Sequence, residues 1–364
     1  MKTDQGEMSE LANQDRLAVL DRARELLGDR ADVAMGLARQ YAAVGCQAKA
    51  VELANAALDG APGDGEIRAL AGEVLAQTVP DWHFVITRDQ VRNQAYAGAL
   101  ARVVTPDTLV LEIGTGTGLL AMMAARLGAR VVTCEANAAI AAAAREVITA
   151  NGLADRISVV NKHSTALDLM EDLGRRADVL VSEIVSNDML SEQVLPSHAD
   201  AALRLIRPDA HVIPARGRIR AALAHDARAG TRLMDQSSGF DLSAFNRLAR
   251  VHYEIRVADP RLALRSSPAD LFTLAFDGSQ PSRDGRTTLE LVSSGGPVNG
   301  VVQWLALDMD ELGLYENEPG RGESSCWASL FWPFAAPLDT KPGDVIRIGG
   351  YHTQERVRLW RQPD

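Results

Sequence analysis

The stretch TLVLEIGTGTGLLAMMAARLG, at residues 108–128, joins a short apolar run to a longer one through three closely spaced glycines. The first run has the length of a buried strand, and the second has the length of a helix. Glycines between them favour a tight turn, because glycine adopts backbone conformations that other residues avoid. The stretch therefore predicts a strand–turn–helix unit of an α/β sheet.

The alternation of strands and helices continues beyond this unit. VVTCEA predicts a second strand, ISVVN a third and ADVLVSE a fourth, with helices at AAIAAAAREVITANG and LDLMEDLG between them. Such alternation is typical of a parallel, doubly wound sheet. We therefore expect an α/β, Rossmann-like domain at residues 81–214.

The segment before this domain, which we assign to residues 1–80, is rich in alanine and predicts helices. One window fits the 34-residue tetratricopeptide repeat, with a generic pair of alanine-rich helices as the alternative. A single repeat cannot bury its own apolar face, so helices at about 15–28 and 66–77 must cap it, or it must dock on the next domain. The matching positions are Leu37, Ala38, Tyr41, Ala50, Ala54, Ala57 and Pro62, with Gly45 at the turn between the two helices.

The segment after the domain changes character near Pro214. Its apolar runs, among them RIRAALA, VVQWLAL, CWASLFW and DVIRIGG, are separated by glycine, proline and aspartate. Short runs between such turn residues are typical of an all-β domain. We expect a β sandwich or barrel at residues 215–364.

The composition narrows the class of protein. A hydrophobic fraction of 46% and a charged fraction of 24% are globular values. The net charge of −10 disfavours direct nucleic-acid binding and is compatible with a basic partner. The acidic start MKTDQGEMSEL predicts no signal peptide, and no apolar run approaches the roughly 18 residues of a membrane span. Cys46, Cys134 and Cys326 are odd in number and widely spaced, which argues against disulfides or a metal site and for a reducing cytoplasm.

The glycines after the first strand carry the prediction of a cofactor. Gly114, Gly116 and Gly118 let the backbone approach a ligand at the start of a helix, which favours a carboxylate or phosphate there. One residue, rather than the two of the dinucleotide pattern, separates the last two glycines, and S-adenosylmethionine enzymes use this spacing. Glu135, which ends the second strand, is placed to accept both ribose hydroxyls. Ser164, after the third strand, is a candidate contact of the adenine. We predict S-adenosylmethionine rather than a nicotinamide cofactor.

The stretch VLVSEIVSNDMLSE ends the fourth strand and places Glu183 and Glu192 nine residues apart. On a continuous helix of roughly 100° per residue, the two side chains would lie on opposite faces. Ser186, Asn187 and Asp188 favour a turn between them, which lets the glutamates converge. Two carboxylates at the end of an α/β strand are suited to a planar guanidinium, whose donors match carboxylate oxygens in pairs.

With these motifs the chain resembles the protein arginine N-methyltransferases over about residues 81–364. VLEIGTGTGLLAMMAARLGA is similar to their first cofactor motif, and SEIVSNDMLSE is similar to their double-glutamate loop. WHFVITRDQVRNQAY resembles the helix that folds over the cofactor, and GFDLSAFNRLARVHYEIRVADPRLAL resembles the dimerisation arm. SSCWASLFWPF and PGDVIRIGG resemble the Thr-His-Trp loop and the strands after it. The repeat segment and the glutamate loop most resemble the divergent members with N-terminal repeats.

The resemblance implies roles for individual residues. Arg92 would pair with the methionine carboxylate of the cofactor, and Glu112 would belong to the cofactor site. Glu183 and Glu192 would be the catalytic pair. The family's β-barrel carries an arm, here at about residues 236–266, that forms a homodimer.

The sequence departs from the family pattern at two places. Ser325-Cys326-Trp327 stands for Thr-His-Trp, and the family histidine contacts an aspartate that corresponds to Asp89. Cys326 cannot form a comparable ion pair. Ile86 stands where many members have a methionine in the substrate pocket. We expect Ile86, Asp89 and Trp327 around that pocket, with Trp327 as an aromatic wall for guanidinium or, equally, as a packed barrel residue.

These observations predict a cytoplasmic enzyme that methylates arginine in a protein or peptide. The glutamates would draw positive charge away from one guanidino nitrogen, which leaves that nitrogen better able to attack the methyl group. Two alternatives stay open. One is a methyltransferase for a small guanidino compound or a peptide natural product, and the other is a catalytically impaired scaffold. The sequence leaves the degree and symmetry of methylation open.

Overall fold

The computed structural model describes residues 3–28, 30–77, 79–279, 284–320 and 325–363. Its α-helices are α1 (Thr3–Leu27), α2 (Ala31–Ala43), α3 (Gln47–Gly60), α4 (Gly65–Ala76), α5 (Trp82–Ile86), α6 (Gln90–Val103), α7 (Leu119–Arg126), α8 (Ala138–Ala150) and α9 (Val194–Arg204). Its strands are β1 (Leu109–Ile113), β2 (Arg130–Cys134), β3 (Ile157–Val160), β4 (Ala177–Ser182), β5 (Ile206–Ile213), β6 (Arg216–Asp226), β7 (Gln236–Ser237), β8 (Phe240–Asp241), β9 (Tyr253–Ile255), β10 (Leu262–Leu264), β11 (Ala269–Ala275), β12 (Gly285–Asp308), β13 (Leu314–Glu316), β14 (Ser329–His352) and β15 (Val357–Arg361). The predicted domain boundaries, after residues 80 and 214, fall between elements and stay predictions.

The N-terminal helices form a bundle with a core of its own. Helices α2 and α3 pack against each other, and α1 and α4 pack against this pair. Gly45 has a φ of +78° in the turn between α2 and α3, where glycine is favoured. Helix α3 also lies against α8 of the next domain. The helical pair is therefore covered both by flanking helices and by the next domain, which the sequence analysis gave as alternatives. Assignment to the tetratricopeptide family stays a prediction. Six of the matching positions are buried: Leu37, Ala38, Tyr41, Ala50, Ala54 and Ala57.

The middle of the chain forms the expected parallel, doubly wound sheet. Within the described residues its strand order is β3-β2-β1-β4-β5, and every pairing is parallel. Strand β5 adds a fifth strand to the four that the sequence predicts. The order reverses between β1 and β4, and ligands of such sheets bind beyond the carboxyl ends of the strands at this point. Because Ile113 pairs with Ser182, the glycine loop and the first glutamate leave the sheet side by side.

The last part of the chain is a barrel-like antiparallel domain, which confirms the predicted fold class. Strand β12 pairs with β14 from Gly285 to Gln303 and with β6 from Gly300 to Asp308, and β15 extends the sheet along β14. Register shifts near Val292 and Val298 bend the long β12–β14 pair. None of the helices in the described ranges is long and apolar enough to cross a membrane.

The predicted arm leaves the barrel after β6 and returns at β10. It contains the small β7–β8 hairpin and a short 3₁₀ turn, and β9 pairs back onto β14. Its tip is apolar and open, because Phe240, Phe245 and Leu248 are 70%, 59% and 74% exposed. Its base is fixed by the hydroxyl of Tyr253, which donates to the buried Asp226 at 2.8 Å.

Candidate active site

The glycine loop lies at the carboxyl end of β1 and leads into α7. Gly114, Gly116 and Gly118 have φ angles of +85°, +50° and +79°, which disfavour residues with side chains. Gly114 also lies against the loop after β4, since a Cβ at this position would come within 2.8 Å of Cγ2 of Ile184. The loop therefore brings bare backbone to the cofactor side of the sheet and leaves no room for a side chain on its other face.

Two carboxylates flank this loop. Glu135 accepts the N–H of Gly116 at 3.3 Å and that of Asn137 at 2.9 Å, which holds its carboxylate at the tip of β2. Glu112 is buried in β1 and accepts the hydroxyl of Thr133 at 2.6 Å. Burial raises the pKa of Glu112 to about 8. Glu135 thus presents a fixed acceptor to a ligand, and Glu112 forms part of the wall beneath it.

A cavity of about 370 Å³ contains every residue that the sequence assigns to the cofactor except Gly118. Ser164 is buried in its wall, and its Oγ has no hydrogen-bond partner among the described residues. The same holds for Nε of the buried Arg92. Buried polar groups normally have partners, so these two atoms indicate a polar ligand. A ligand with a nucleoside and a carboxylate fits them, together with the glycine loop and Glu135.

The double-glutamate loop turns where the sequence predicts. Ser186 donates its hydroxyl to Asp188 at 2.6 Å, and Asp188 accepts the backbone N–H of Leu190 and of Ser191 at 3.2 and 3.0 Å. Side-chain bonds of this kind stabilise tight turns. The turn brings the chain back to the cavity, so Glu183 and Glu192 both line it.

The two glutamates have raised pKa values, for different reasons. Burial raises the pKa of Glu183 to about 8, while Arg92 at 3.1 Å opposes the shift and Glu192 adds to it. Glu192 is exposed and lines the first cavity. Partial desolvation there and Asp188 raise its pKa to about 7. The site therefore holds two carboxyl groups whose pKa values are raised above that of an ordinary glutamate.

A second cavity, of about 150 Å³, adjoins the first at the glutamates. Ile86, Cys326 and Trp327 line it, and it shares Glu183 and Glu192 with the first cavity. Trp327 is buried and donates its indole N–H to the carbonyl of residue 185 at 2.6 Å. The ring is therefore both packed into the barrel and part of the wall of this cavity, and its role as a wall for guanidinium stays a prediction.

Asp89 lies behind the cavities and lines neither of them. One carboxylate oxygen accepts the N–H of Arg92 at 2.9 Å, and the other accepts the hydroxyl of Tyr315 at 2.8 Å and the N–H of Cys326 at 3.0 Å. We expected Asp89 at the substrate pocket; these bonds join it to Arg92 and Cys326, which line the cavities, and its place in the pocket stays a prediction. The sequence did not single out Tyr315, because nothing local links it to a residue 226 positions away. It also missed Trp82, which lines both cavities.

Comparison with known proteins gives one family match and a set of similar proteins. The family described as ribosomal protein L11 methyltransferase matches residues 97–214. An arginine N(omega)-methyltransferase of Streptomyces achromogenes subsp. streptozoticus is 37% identical over 282 residues, which are 76% of this chain and 77% of that protein. Protein arginine N-methyltransferase 7 of Drosophila sechellia is 38% identical over 143 residues, which are 37% of this chain and 21% of that protein.

A solved structure agrees with the fold. The PRMT1 enzyme–prozyme heterotetrameric complex of Trypanosoma brucei with AdoHcy has a TM-score of 0.66 to this chain at 21% identity. The match covers 77% of this chain and 98% of that one. In this chain, the matched part includes the parallel sheet and the antiparallel, barrel-like domain that follows it.

Proposed function

Because the chain belongs to the protein arginine N-methyltransferase family, we propose that Glu183 and Glu192 bind the arginine whose guanidino group is methylated. The chain is an S-adenosylmethionine-dependent enzyme that transfers a methyl group to arginine. One observation carries the assignment of the glutamates: they line both the cavity with the cofactor motif and the cavity with Trp327. A guanidinium in the second cavity therefore meets the first cavity at these two carboxylates.

We assign the first cavity to S-adenosylmethionine, which supplies an electrophilic methyl group on its sulfonium. Glu135 would accept the ribose hydroxyls, and Ser164 would bond the adenine. Arg92 would bind the methionine carboxylate, since its Nε is unpartnered within the described residues and it lines the cavity. Gly114 and Gly116 would let the backbone approach the ligand, while Gly118 starts α7 and Glu112 lies in the wall.

We assign arginine binding and activation to the second cavity. A free guanidinium is charged and offers no lone pair for attack. Glu183 and Glu192 would hold the group and draw its positive charge towards themselves, which leaves one nitrogen better able to attack. A proton must then leave that nitrogen. A carboxylate whose pKa lies near neutral pH is suited to accept it, and both glutamates meet this condition.

We propose that the arginine belongs to a protein or peptide and that residues 1–80 help to select it. Helical bundles of this kind present surfaces on which peptides bind. The Streptomyces relative supports a second candidate, because its name specifies arginine without a protein. Purified chain, labelled S-adenosylmethionine and either arginine peptides or free L-arginine would separate the two by mass spectrometry. If neither the peptides nor free L-arginine became labelled, the assignment of the second cavity to arginine would be contradicted.

We further propose a homodimer in the cytoplasm. The arm exposes Phe240, Phe245 and Leu248, and a patch of this kind marks a docking surface. If each arm docks on the cofactor domain of the other copy, the reciprocal contact closes with two-fold symmetry. A reducing compartment is supported by the cysteines, which are unpaired within the described residues.

A further inference from the structure

Tyr315 connects parts of the site that are far apart in the sequence. It lies in β13, is 2% exposed, and donates its hydroxyl to Oδ2 of Asp89 at 2.8 Å. The same hydroxyl lies 2.7 Å from Oγ of Ser325, which donates to it. A buried tyrosine hydroxyl needs partners, and this one has a charged acceptor and a neutral donor.

The carboxylate of Asp89 joins two elements of the site. Its Oδ1 accepts the N–H of Arg92 at 2.9 Å and so caps the helix that carries this arginine. Its Oδ2 accepts the N–H of Cys326 at 3.0 Å, in the loop that carries the tryptophan wall. Asp89 is buried, and its two oxygens divide these contacts: Oδ1 caps the helix, while Oδ2 bonds the loop with the tryptophan wall and Tyr315.

The same tyrosine reaches the wall of the second cavity by two routes. Its ring packs edge-to-face on Trp327, with centroids 5.3 Å apart. Its hydroxyl bonds Ser325, whose Oγ accepts the N–H of Trp327 at 3.0 Å. Removal of the hydroxyl alone would keep the ring contact and release the polar connections.

We propose that Tyr315 is a positioning residue that sets the arginine slot, by holding Asp89 and the Ser325–Trp327 loop in one hydrogen-bonded unit. The inference rests on the assignment of the second cavity to arginine. Oδ2 of Asp89 accepts both the backbone N–H of Cys326 and the hydroxyl of Tyr315, so the tyrosine supplies a side-chain donor to the aspartate that the family resemblance pairs with a histidine. The hydroxyl is neutral, and it holds the aspartate without an ion pair.

Tyr315→Phe tests this role by removing only the hydroxyl. We expect kcat/KM for an arginine peptide to fall about 10- to 100-fold, the range for a hydrogen bond to a charged group. The fall should lie mainly in KM, because the slot loosens, while the Kd for S-adenosylmethionine changes less than threefold. The matched control is Tyr351→Phe, which removes an exposed tyrosine–aspartate bond to Asp284, and neither residue lines either cavity.

Ser325→Ala is the second variant, since it breaks the connection to Trp327 and leaves the bond of Tyr315 to Asp89. It should raise KM by a smaller factor, again with cofactor affinity retained. KM values within twofold of wild type in both variants would overturn the inference. If Tyr315→Phe has a lowered Tm or no longer binds S-adenosylmethionine, the KM of Ser325→Ala becomes the test of the inference. A wild-type chain that methylates no arginine would instead contradict the proposed function.

Discussion

Replacement of Glu183 by glutamine is the sharpest test of the proposed chemistry. The side chain is 7% exposed, so glutamine must occupy almost the same volume. Its amide oxygen can still accept from Arg92, whose guanidinium lies 3.1 Å from the present carboxylate. The variant therefore keeps packing and one hydrogen bond, and it removes the negative charge that would face the substrate guanidinium.

The expected loss follows from the burial and the pKa of this group. Removal of one preorganised electrostatic partner typically costs about 10²–10³ in rate, or about 2.7–4 kcal/mol. Because burial raises the pKa of Glu183 to about 8, a larger share of the free enzyme carries this charge at pH 9 than at pH 7. The ratio of wild-type to variant kcat/KM should therefore be smaller at pH 7 than at pH 9, since kcat/KM reports the free enzyme.

The assay is methylation of an arginine peptide at both pH values, with cofactor affinity measured by calorimetry. Wild-type kcat/KM should rise with pH through the raised pKa values of Glu183 and Glu192, because each carboxyl group acts in its ionised form. Glu290→Gln is the matched control, since Glu290 pairs with Arg347 on the surface. Turnover within threefold of wild type at pH 9 would refute the reasoning, as would a loss that comes from weaker cofactor binding.

Three further predictions concern the cofactor, the arm and the N-terminal helices. Glu135→Ala should weaken S-adenosylmethionine binding by about 2–3 kcal/mol, because it removes the acceptor for two hydroxyls; an unchanged calorimetric Kd would place the ribose elsewhere. Light scattering at micromolar concentration should give a dimer, and deletion of residues 236–248 should give a monomer with weaker cofactor binding; a wild-type particle of 39.1 kDa would contradict the role of the arm. A chain that starts at Val79 should keep its cofactor affinity and lose activity on its native substrate, and an equal loss on short peptides would assign the helices a structural role.

Most of the fold could be predicted from local sequence patterns. The glycine-rich turn, the apolar strands around it and the alternation with helices predict a parallel sheet, because each follows from the chemistry of neighbouring residues. The start of α6 also has a local signal, since Asp89 caps it. The path of the arm and the fifth strand of the sheet have weaker signals. Strand β5 contains charged residues such as Arg207 and Asp209, which hide its buried end.

The sequence predicted which residues belong to the candidate site, but it did not predict the hydrogen bonds and ion pairs between them. Glu135 and the glutamate loop were placed by their distance from strand ends. The pairing of Arg92 with Glu183 and the bond from Tyr315 to Asp89 join separate elements, so no periodicity or spacing reveals them. The position of Asp89 behind the cavities has the same origin, because a tertiary partner holds its carboxylate there.

The contact between Gly114 and Ile184 ties the two halves of the reaction to one backbone position. Ile184 directly follows Glu183, and any side chain at position 114 would push against it. A mutational library at Gly114 that is selected for altered donors would therefore return variants with altered acceptor preference as well. On the proposed roles of the two loops, a substitution at position 114 would disturb the donor side and the acceptor side together, so engineering that aims to separate them has to begin elsewhere in the two loops.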